Sequence, residues 1–260
     1  MNIKKVNLVY FSPTGNTRKT VKAIASGIGI ETIEYDLTRK ESREQSLFFE
    51  SDELVIVGSP VYAGRIPNIE GDLFRALKGE NTPVVLVVNY GNREYEDSLL
   101  ELKNILKEKG FVPLAAGAFI GEHSYSRRIA TNRPDTVDLE KAIEFGKCIR
   151  NKIEGKDFLK GDIKVSGNYP YKEGIGFMPF APMANDKCTS CGKCIGVCPT
   201  NAISKKNPKE TDIEKCIKCF ACIRSCPVSA KSIEVPAFKE KIEFIEGICL
   251  ARRKEIETII

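Results

Sequence analysis

The sequence predicts an α/β domain with a doubly wound, five-stranded parallel sheet, followed by a small cysteine-rich α+β domain. Two observations predict this division. Apolar strands alternate with helical stretches from residue 6 to about residue 153, and eight of the ten cysteines lie within 188–226. Near-continuous apolar strands between helices are typical of a parallel sheet that helices cover on both faces.

Five stretches have the length and composition of buried strands. They cover 6–11, 31–37, 54–58, 83–88 and 111–120. The apolar spacing between and after them is helical, and it predicts helices over 14–27, 68–78, 96–109 and 135–153. In a sheet of this kind the ligand lies beyond the carboxyl ends of the strands.

The first strand runs into the sequence Ser-Pro-Thr-Gly-Asn-Thr at 12–17, which begins a predicted helix. Backbone N–H groups and the helix dipole favour a phosphate there, and Ser12, Thr14, Asn16 and Thr17 add side-chain donors. A plain helix cap needs only one hydroxyl. The turn matches neither the G-x-G-x-x-G fingerprint of dinucleotide sites nor the Walker A loop. The turn therefore predicts a nucleotide phosphate site that belongs to neither of these two classes.

The cysteines form two copies of the pattern C-x2-C-x2-C-x3-C-P, at 188–199 and 216–227. This is the bacterial pattern for cubane iron–sulfur clusters, in which the fourth cysteine of each run binds the other cluster. Thiolates are soft ligands that suit iron in a tetrahedral site. The pattern therefore predicts two [4Fe–4S] clusters. Their ligand sets are Cys188, Cys191, Cys194 and Cys226 for one, and Cys216, Cys219, Cys222 and Cys198 for the other.

Zinc and disulfides are the alternatives for these cysteines. A structural zinc site needs paired C-x2-C units and not a third and fourth cysteine in each run. A disulfide framework is typical of short secreted chains. We expect no signal peptide here, because residues 1–5 lead directly into the pattern of the first strand. No apolar run approaches a membrane span. We therefore expect a cytoplasmic protein.

The net charge of +5 lies entirely within 156–260, because 1–155 is neutral overall. Each cluster with its four thiolates carries about −2, which lowers the charge of the C-terminal part to about +1. The excess lysines thus offset cluster charge. The basic pI gives no support to nucleic-acid binding.

The remaining segments connect and extend the two domains. Residues 155–185 are rich in Gly, Pro and aromatic residues, which predicts an ordered connector packed on the first domain. The tail has an apolar helical face that predicts a docked helix. We therefore expect a nucleotide-binding domain, a connector, a cluster domain and a helical tail, with the bounds 1–154, 155–185, 186–235 and 236–260.

The loop at 12–17 resembles the FMN phosphate loop of flavodoxins, and 59–65 and 89–97 lie where flavodoxin loops wrap the isoalloxazine ring. Nearly the whole chain resembles fused flavodoxin–ferredoxin proteins of anaerobes. The resemblance implies a flavodoxin-like strand order 2-1-3-4-5, FMN and a 2[4Fe–4S] ferredoxin-like domain. It implies that FMN contacts come from Ser12, Thr14, Gly15, Asn16, Thr17, Ser59, Pro60, Val61, Tyr62, Ala63, Gly64, Asn89, Tyr90, Gly91, Asn92, Tyr95 and Asp97. His123 is a further candidate, because it follows the fifth strand at the same edge of the sheet.

Individual roles follow from residue type. Tyr62 and Tyr90 are candidates for flat contacts with the flavin ring, with ordinary surface positions as the alternative. Gly64 and Gly91 let backbone amides approach the ring. His123, the only histidine, either borders the flavin, faces the cluster domain, or is a solvated loop residue.

Asn89 and Asn92 are candidates for hydrogen bonds to the pyrimidine edge of the flavin. The expected function is electron transfer, with low-potential electrons passing between the two clusters, FMN and redox partner proteins such as ferredoxin-dependent or flavin-dependent oxidoreductases. The alternative is a flavin-dependent reductase of a small substrate that the clusters supply with electrons. The sequence leaves open a homodimer, the direction of electron flow and which cluster faces the flavin.

Overall fold

The computed structural model describes residues 3–69, 72–155, 162–174 and 176–260. Ten strands and six helices lie within these ranges. The strands are β1 Lys5–Tyr10, β2 Thr32–Asp36, β3 Leu47–Phe49, β4 Glu53–Pro60, β5 Leu77–Gly79, β6 Thr82–Tyr90, β7 Phe111–Ile120, β8 Met183–Ala184, β9 Lys231–Ser232 and β10 Glu257–Ile259. The helices are α1 Asn16–Ile28, α2 Ser98–Glu108, α3 Thr136–Glu154, α4 Lys193–Gly196, α5 Ala221–Ser225 and α6 Pro236–Cys249.

The main sheet has the order β10-β7-β6-β4-β1-β2. Its five parallel strands, counted along the chain, follow the order 2-1-3-4-5, which is the flavodoxin-like arrangement. The predicted fold class is confirmed. The sheet has its switch point between β1 and β4, because the chain moves from β1 outward to β2 and then back across to β4.

The sheet also has a sixth strand that the sequence did not predict. β10 pairs antiparallel with β7, with Ile259 opposite Ala116 and Glu257 opposite Ala118. The predicted helical tail forms a helix only to Cys249, and its last residues are therefore a strand. The physical reason is that β7 offers an edge of unpaired backbone groups, which the returning tail covers.

A second difference concerns the predicted helix over 68–78, of which residues 70 and 71 lie outside the described residues. The remainder forms turns and the short strand β5, which pairs with β3. Asp72 has a φ of 61°, a left-handed conformation that interrupts a helix. Phe74 and Leu77 are fully buried in the core beside the sheet. Apolar spacing alone did not distinguish these buried turns and short strand from a helix.

The core lies on both faces of the sheet, because β6 is buried along its whole length. Helices α1 and α3 cover one face and α2 covers the other. Gly27 and Gly146 let α1 and α3 approach closely, since a Cβ on Gly146 would lie 2.1 Å from the Ile24 carbonyl oxygen. None of the helices in the described ranges is both long and apolar enough to cross a membrane.

The cysteine-rich part docks against the carboxyl edge of the sheet. Tyr125 follows β7, and its ring lies 4.7 Å from that of Phe220 and 5.3 Å from that of Phe238. Helix α6 continues this contact, because Ile245 and Cys249 pack on Ile129. The small domain therefore lies over the edge where a flavodoxin-like sheet binds its ligand.

Candidate functional site

The carboxyl ends of β1, β4, β6 and β7 surround a solvent-connected crevice with a volume of about 50 Å³. Eleven of the predicted cofactor residues line it, namely Ser12, Thr14, Asn16, Thr17, Pro60, Val61, Tyr62, Asn89, Tyr90, Gly91 and His123. The predicted residues of four separate loops thus meet in one place.

The loop between β1 and α1 has the geometry of an anion site. Gly15 occupies the N-cap position with a φ of 88°, which glycine adopts without strain. The Ser12 hydroxyl accepts a hydrogen bond from the Arg18 amide at 3.0 Å, and the Ser12 amide donates to the Thr38 hydroxyl at 2.9 Å. The amides of Asn16 and Thr17 in the first turn of α1 have no partner within the helix, so they are available to a phosphate.

Asn16 lines the crevice and also makes a structural contact. Its side-chain amide donates to the Glu122 carbonyl at 3.1 Å and so ties the phosphate loop to the end of β7. Gly121 makes this contact possible, because a Cβ there would lie 2.7 Å from the Asn16 amide nitrogen. Asn89 is also engaged, since its amide donates to the Thr20 hydroxyl at 3.0 Å. Both side chains shape the crevice from its wall.

The two tyrosines differ in environment. Tyr90 is 3% exposed, and its ring packs at 5.5 Å on Tyr95 within the core, so it forms part of the crevice floor. Tyr62 is only partly buried and lies in the short loop after β4, where its backbone exchanges hydrogen bonds with Arg65. Of the two, Tyr62 has the free ring that a flavin contact requires.

His123 lies in the crevice wall against Gly91. A Cβ on Gly91 would lie 2.5 Å from His123 Cδ2, so only glycine fits beside this ring. His123 Nδ1 accepts a hydrogen bond from the Tyr125 amide at 3.1 Å. Burial, with the positive charges of Arg224 and Arg93, lowers the pKa of His123 to about 4. The imidazole is therefore neutral at physiological pH, and it is not a solvated loop residue.

The other seven predicted cofactor residues do not line the crevice. They are Gly15, Ser59, Ala63, Gly64, Asn92, Tyr95 and Asp97. Gly15 caps α1 beside the crevice, and the Ser59 hydroxyl donates to the Pro60 carbonyl at 3.1 Å. Gly64 packs against Glu96, whose carboxylate would clash with any side chain at this position.

Three polar residues of this set hold other segments of the chain. Asn92 donates to the carbonyls of Cys249 and Arg252 and accepts from the Lys254 amide, and so fixes the tail. The Tyr95 hydroxyl donates to the Glu257 carboxylate at 2.6 Å. Neither side chain lines the crevice, and their contact with the flavin stays a prediction.

Asp97 is the third of these residues, and it holds the connector. Its carboxylate accepts hydrogen bonds from the backbone amides of Asn168 at 2.8 Å and Lys172 at 2.7 Å. Burial opposes ionisation of Asp97, but these hydrogen bonds hold its pKa below the usual range. The connector is therefore attached to the first domain, apart from 156–161 and 175, which lie outside the described residues.

The crevice also includes four residues that sequence analysis missed. They are Pro13, Gly121, Glu122 and Ser124. The signal was available for three of them, because 121–124 directly follows β7 and the carboxyl ends of all central strands meet at this edge. Of the four positions 121–124, residue type pointed to His123 alone.

The first set of cysteines surrounds its own cavity. Cys188, Cys191, Cys194 and Cys226 line it together, although Cys226 comes from the second run. Cys191 is exposed and the other three are partly exposed. Among the described residues no three His, Cys, Asp or Glu side chains converge closely enough to hold a single metal ion. The four thiols instead face a shared space.

The second set is more deeply buried. Cys219 and Cys222 are 7% and 8% exposed, and both lie in the electrostatic field of Cys198 and Cys216. Burial raises the pKa of Cys222 to about 12 and that of Cys219 well above its usual value. A metal centre has to displace these protons, because thiolates are the ligands. Cys198 thus acts electrostatically on both buried thiols, and its place in the second ligand set stays a prediction.

The buried set lies on the side of the crevice. Burial and then the neighbouring thiol of Cys219 raise the pKa of Tyr62, with a further contribution from Cys216. Burial and the same two thiols also raise the pKa of Tyr125. The ring of Tyr125 packs on Phe220, which follows Cys219 in the sequence. Tyr62 therefore lies between the crevice and the buried cysteines. This geometry selects the set with Cys216 as the inner one.

Arg224 holds the two parts together at this point. It lies on α5 between Cys222 and Cys226, and its guanidinium forms an ion pair with Glu122. It also donates to the carbonyls of His123 at 2.5 Å and Ser124 at 3.2 Å. Arg224 of the cysteine-rich domain thus binds three consecutive residues of the crevice rim, Glu122, His123 and Ser124.

Arg43 makes a second contact between the two parts. Arg43 is 8% exposed and donates to the Pro199 carbonyl at 2.7 Å, and to the carbonyls of Leu37 and Thr38. Pro199 directly follows Cys198, so this bond also positions the inner set. Cys148 and Cys249 have no part in either set. Cys249 is buried, whereas Cys148 on α3 is exposed.

Residues 183–227 match a family model that is described as a 4Fe-4S dicluster domain. The C-terminal module is a 4Fe–4S dicluster domain. The match includes all eight cysteines of the two sets, so the prediction of two [4Fe–4S] clusters is confirmed at the level of the domain. No curated protein sequence matches the chain.

Solved flavodoxin structures resemble the N-terminal part. An archaeal flavodoxin has 15% sequence identity, with 58% of this chain and 99% of that chain covered and a TM-score of 0.41. The two-electron reduced Megasphaera elsdenii flavodoxin has 18% identity, coverages of 56% and 98%, and a TM-score of 0.35. The flavodoxin of Streptococcus pneumonia TIGR4 has 15% identity, coverages of 57% and 99%, and a TM-score of 0.40.

The flavodoxin-like fold of this chain rests on the strand order itself. The chain joins this fold to a dicluster domain in one polypeptide, as the resemblance to flavodoxin–ferredoxin fusions implied. Together the two domains indicate electron transfer in general.

Proposed function

We propose that this protein is an electron carrier that relays electrons between two [4Fe–4S] clusters and FMN, and exchanges them with redox partner proteins. One observation carries the proposal. Tyr62 lines the crevice at the carboxyl edge of the sheet and also lies beside the thiols of Cys216 and Cys219. A flavin in the crevice and a cluster on the inner set would therefore be neighbours.

The crevice supplies what FMN requires. The phosphate would lie at the N-terminus of α1, where backbone amides and the hydroxyls of Thr14 and Thr17 converge. The ring would lie between Tyr62, Gly91 and His123, with backbone close enough to tune its potential. A bound flavin exchanges one or two electrons, whereas each cluster exchanges one.

The different burial of the two cysteine sets gives the relay an order. Cys191 of the outer set is exposed at the surface, whereas Cys219 and Cys222 of the inner set are buried. A partner protein would therefore exchange electrons with the outer cluster. The inner cluster would link it to the flavin. Ferredoxin-dependent and flavin-dependent oxidoreductases are the partner classes that match these centres.

A separate observation favours a second function, a flavin-dependent reductase of a small substrate. A cavity of about 880 Å³ lies between the domains and is lined by Tyr62, Cys216, Phe177 and the ion pair of Arg65 with Glu101. Its volume suits a small molecule. A substrate held there would contact both the inner set and the residue that borders the flavin crevice.

The two functions differ in one experiment. The anaerobically reconstituted protein is first analysed for iron, sulfide and FMN, and then supplied with a low-potential electron donor. An electron carrier passes electrons to a second redox protein and shows no turnover of quinones, nitro compounds or ferric chelates. Rapid turnover of one of these compounds, lost when Phe177→Ala alters the interdomain cavity, would support the reductase. Absence of FMN after reconstitution would contradict both.

A further inference from the structure

Lys231 is a lysine in the interior of the dicluster domain. It is 3% exposed and lies on β9, where its backbone faces Ala184 of β8. Lysine is among the residues least often buried, because removing an ammonium group from water is costly unless an opposite charge compensates it. A fully buried lysine in so small a domain therefore requires a partner.

The partners of its ammonium group within the described residues are all neutral. Nζ donates to the Thr211 hydroxyl at 2.9 Å and to the carbonyls of Pro182 and Lys209, each at 3.4 Å. None of the ion pairs in the described ranges involves this lysine, although the same domain contains Asp186, Glu210 and Asp212 at its surface. Among the described residues the ammonium group therefore has hydrogen-bond acceptors but no carboxylate that balances its charge.

The cysteines lie on the other side of this charge. Lys231 lines the cavity of the outer set together with Cys188, Cys191, Cys194 and Cys226. Its field also reaches the inner set, since it opposes the effect by which burial raises the pKa of Cys222. The charge of Lys231 also opposes the rise in pKa that burial causes at Cys194 of the outer set and Cys216 of the inner set. One buried cation thus faces the ligands of both clusters.

The internal repeat makes the position informative. The fourth cysteine of the first run is followed by Pro-Thr-Asn-Ala and then Ile203, and that of the second run by Pro-Val-Ser-Ala and then Lys231. Ile203 is also 3% exposed. The fold therefore accepts an apolar side chain at this position of the repeat, and packing alone does not require the lysine.

We propose that Lys231 is an internal counter-charge that tunes both clusters and raises their reduction potentials. A [4Fe–4S] cluster with four thiolates carries about −2 when oxidised and gains one more negative charge on reduction. A positive charge in a dry interior stabilises the reduced form more than the oxidised form, because the interaction is weakly screened there. The proposal requires the clusters but not the flavin, so it can fail or succeed independently of the relay.

The test is anaerobic redox titration of the reconstituted full-length protein, with EPR detection of both clusters. Lys231→Met removes the charge and keeps an unbranched side chain, and Lys231→Gln also keeps a hydrogen bond to Thr211. We expect both variants to hold the same iron and sulfide as the wild type. We expect cluster reduction to become at least about tenfold less favourable, which is 59 mV for a one-electron couple.

Two variants serve as controls. Lys231→Arg keeps the charge and should keep the potentials near those of the wild type. Lys193→Met removes a lysine that lines the same cavity but is exposed to solvent, so its smaller effect should vanish at high salt. A purely structural lysine would lower iron content or thermal stability and leave the potentials unchanged. Unchanged potentials in Lys231→Gln with intact clusters would overturn the proposal.

Discussion

The close contact between Gly91 and His123 shapes the crevice at the scale of single residues. Neither residue has space to move apart, because His123 is fixed through its Nδ1 and through the Arg224 bond to its carbonyl. A side chain on Gly91 would therefore push the imidazole into the crevice. This contact gives a direct test that the crevice is the flavin site.

Gly91→Ala should weaken FMN binding by at least about tenfold, since overpacking of a tight site typically costs 1–3 kcal/mol. The measurement is titration of the flavin-free protein by quenching of FMN fluorescence. Gly247→Ala is the matched control, because a Cβ there meets nothing within 4 Å. Equal FMN affinity in the two variants would show that the flavin binds elsewhere.

The depressed pKa of His123 predicts a pH dependence of stability. Its pKa is about 4 in the folded protein and about 6.5 when unfolded. Between these values the unfolded chain binds a proton that the folded chain does not, so stability falls as pH decreases from 6.5. The loss is about 2 kcal/mol at pH 5.

The measurement for His123 is the midpoint of thermal unfolding between pH 7 and pH 5, a range above most carboxyl titrations. We expect a fall of several degrees in the wild type and a nearly flat profile in His123→Asn. Because this is the only histidine of the chain, no other imidazole contributes. An equally steep profile in the variant would show that His123 titrates normally.

At the scale of elements, the tail is held by a few strong contacts. Asn92 makes three hydrogen bonds to the segment between α6 and β10, and Arg133 donates to the Lys254 carbonyl at 2.8 Å. Arg133 in turn forms a buried ion pair with Asp138 in the first turn of α3. The strand β10 therefore depends on side chains from two loops that lie beside the crevice.

Asn92→Gly should lower the free energy of unfolding by about 3 kcal/mol, at about 1 kcal/mol for each hydrogen bond. Glycine keeps the φ of 61° without strain, so only the bonds are lost. Asn201→Gly is the control, because Asn201 also has a positive φ but makes one exposed bond to Glu41. FMN affinity should stay within about twofold, and a large loss of affinity would support Asn92 as a flavin ligand.

The sequence predicted those elements whose signal is local. Five apolar runs became the parallel strands, because strands buried on both faces need continuous apolar residues. The cysteine spacing also identified the dicluster domain, because the eight cysteines lie in two short runs of the sequence. By contrast, Asn92 bonds to residues about 160 positions away, and β10 forms only because β7 leaves an edge free. Contacts of this kind leave no pattern in the neighbouring residues.

The choice between the two cysteine sets also required the structure. Their spacing is identical, so no local feature distinguishes them. The distinction arises where Arg224 and Phe220 of the second run meet Glu122 and Tyr125 after β7. The equivalent contact of the first run is Arg43 with the Pro199 carbonyl.

At the scale of the whole molecule, the relay depends on docking of the dicluster domain. Arg224→Met removes the ion pair and two hydrogen bonds at the crevice rim, and leaves the Glu122 carboxylate with the Asn132 amide as its hydrogen-bond partner. We expect iron and sulfide contents to be unchanged and electron transfer between cluster and flavin, measured in the FMN-loaded protein, to slow by about tenfold. That factor corresponds to about 1.4 kcal/mol of lost docking energy.

Arg128→Met is the control for Arg224. Arg128 also pairs across the interface, with Glu246 of α6, but its side chain is 70% exposed. Such pairs are worth less than about 1 kcal/mol. Electron transfer in Arg128→Met should therefore match the wild type. Equal rates in all three proteins would show that Arg224 does not position the inner cluster.

The central claim is that FMN and the two clusters form one relay within this chain. Its most direct test is anaerobic stopped-flow reduction of the fully loaded protein by a one-electron donor, with cluster and flavin absorbance followed together. We predict that the clusters are reduced first, and that flavin reduction follows at a rate independent of donor concentration. A flavin rate proportional to donor concentration, with clusters and flavin reduced independently, would contradict the relay.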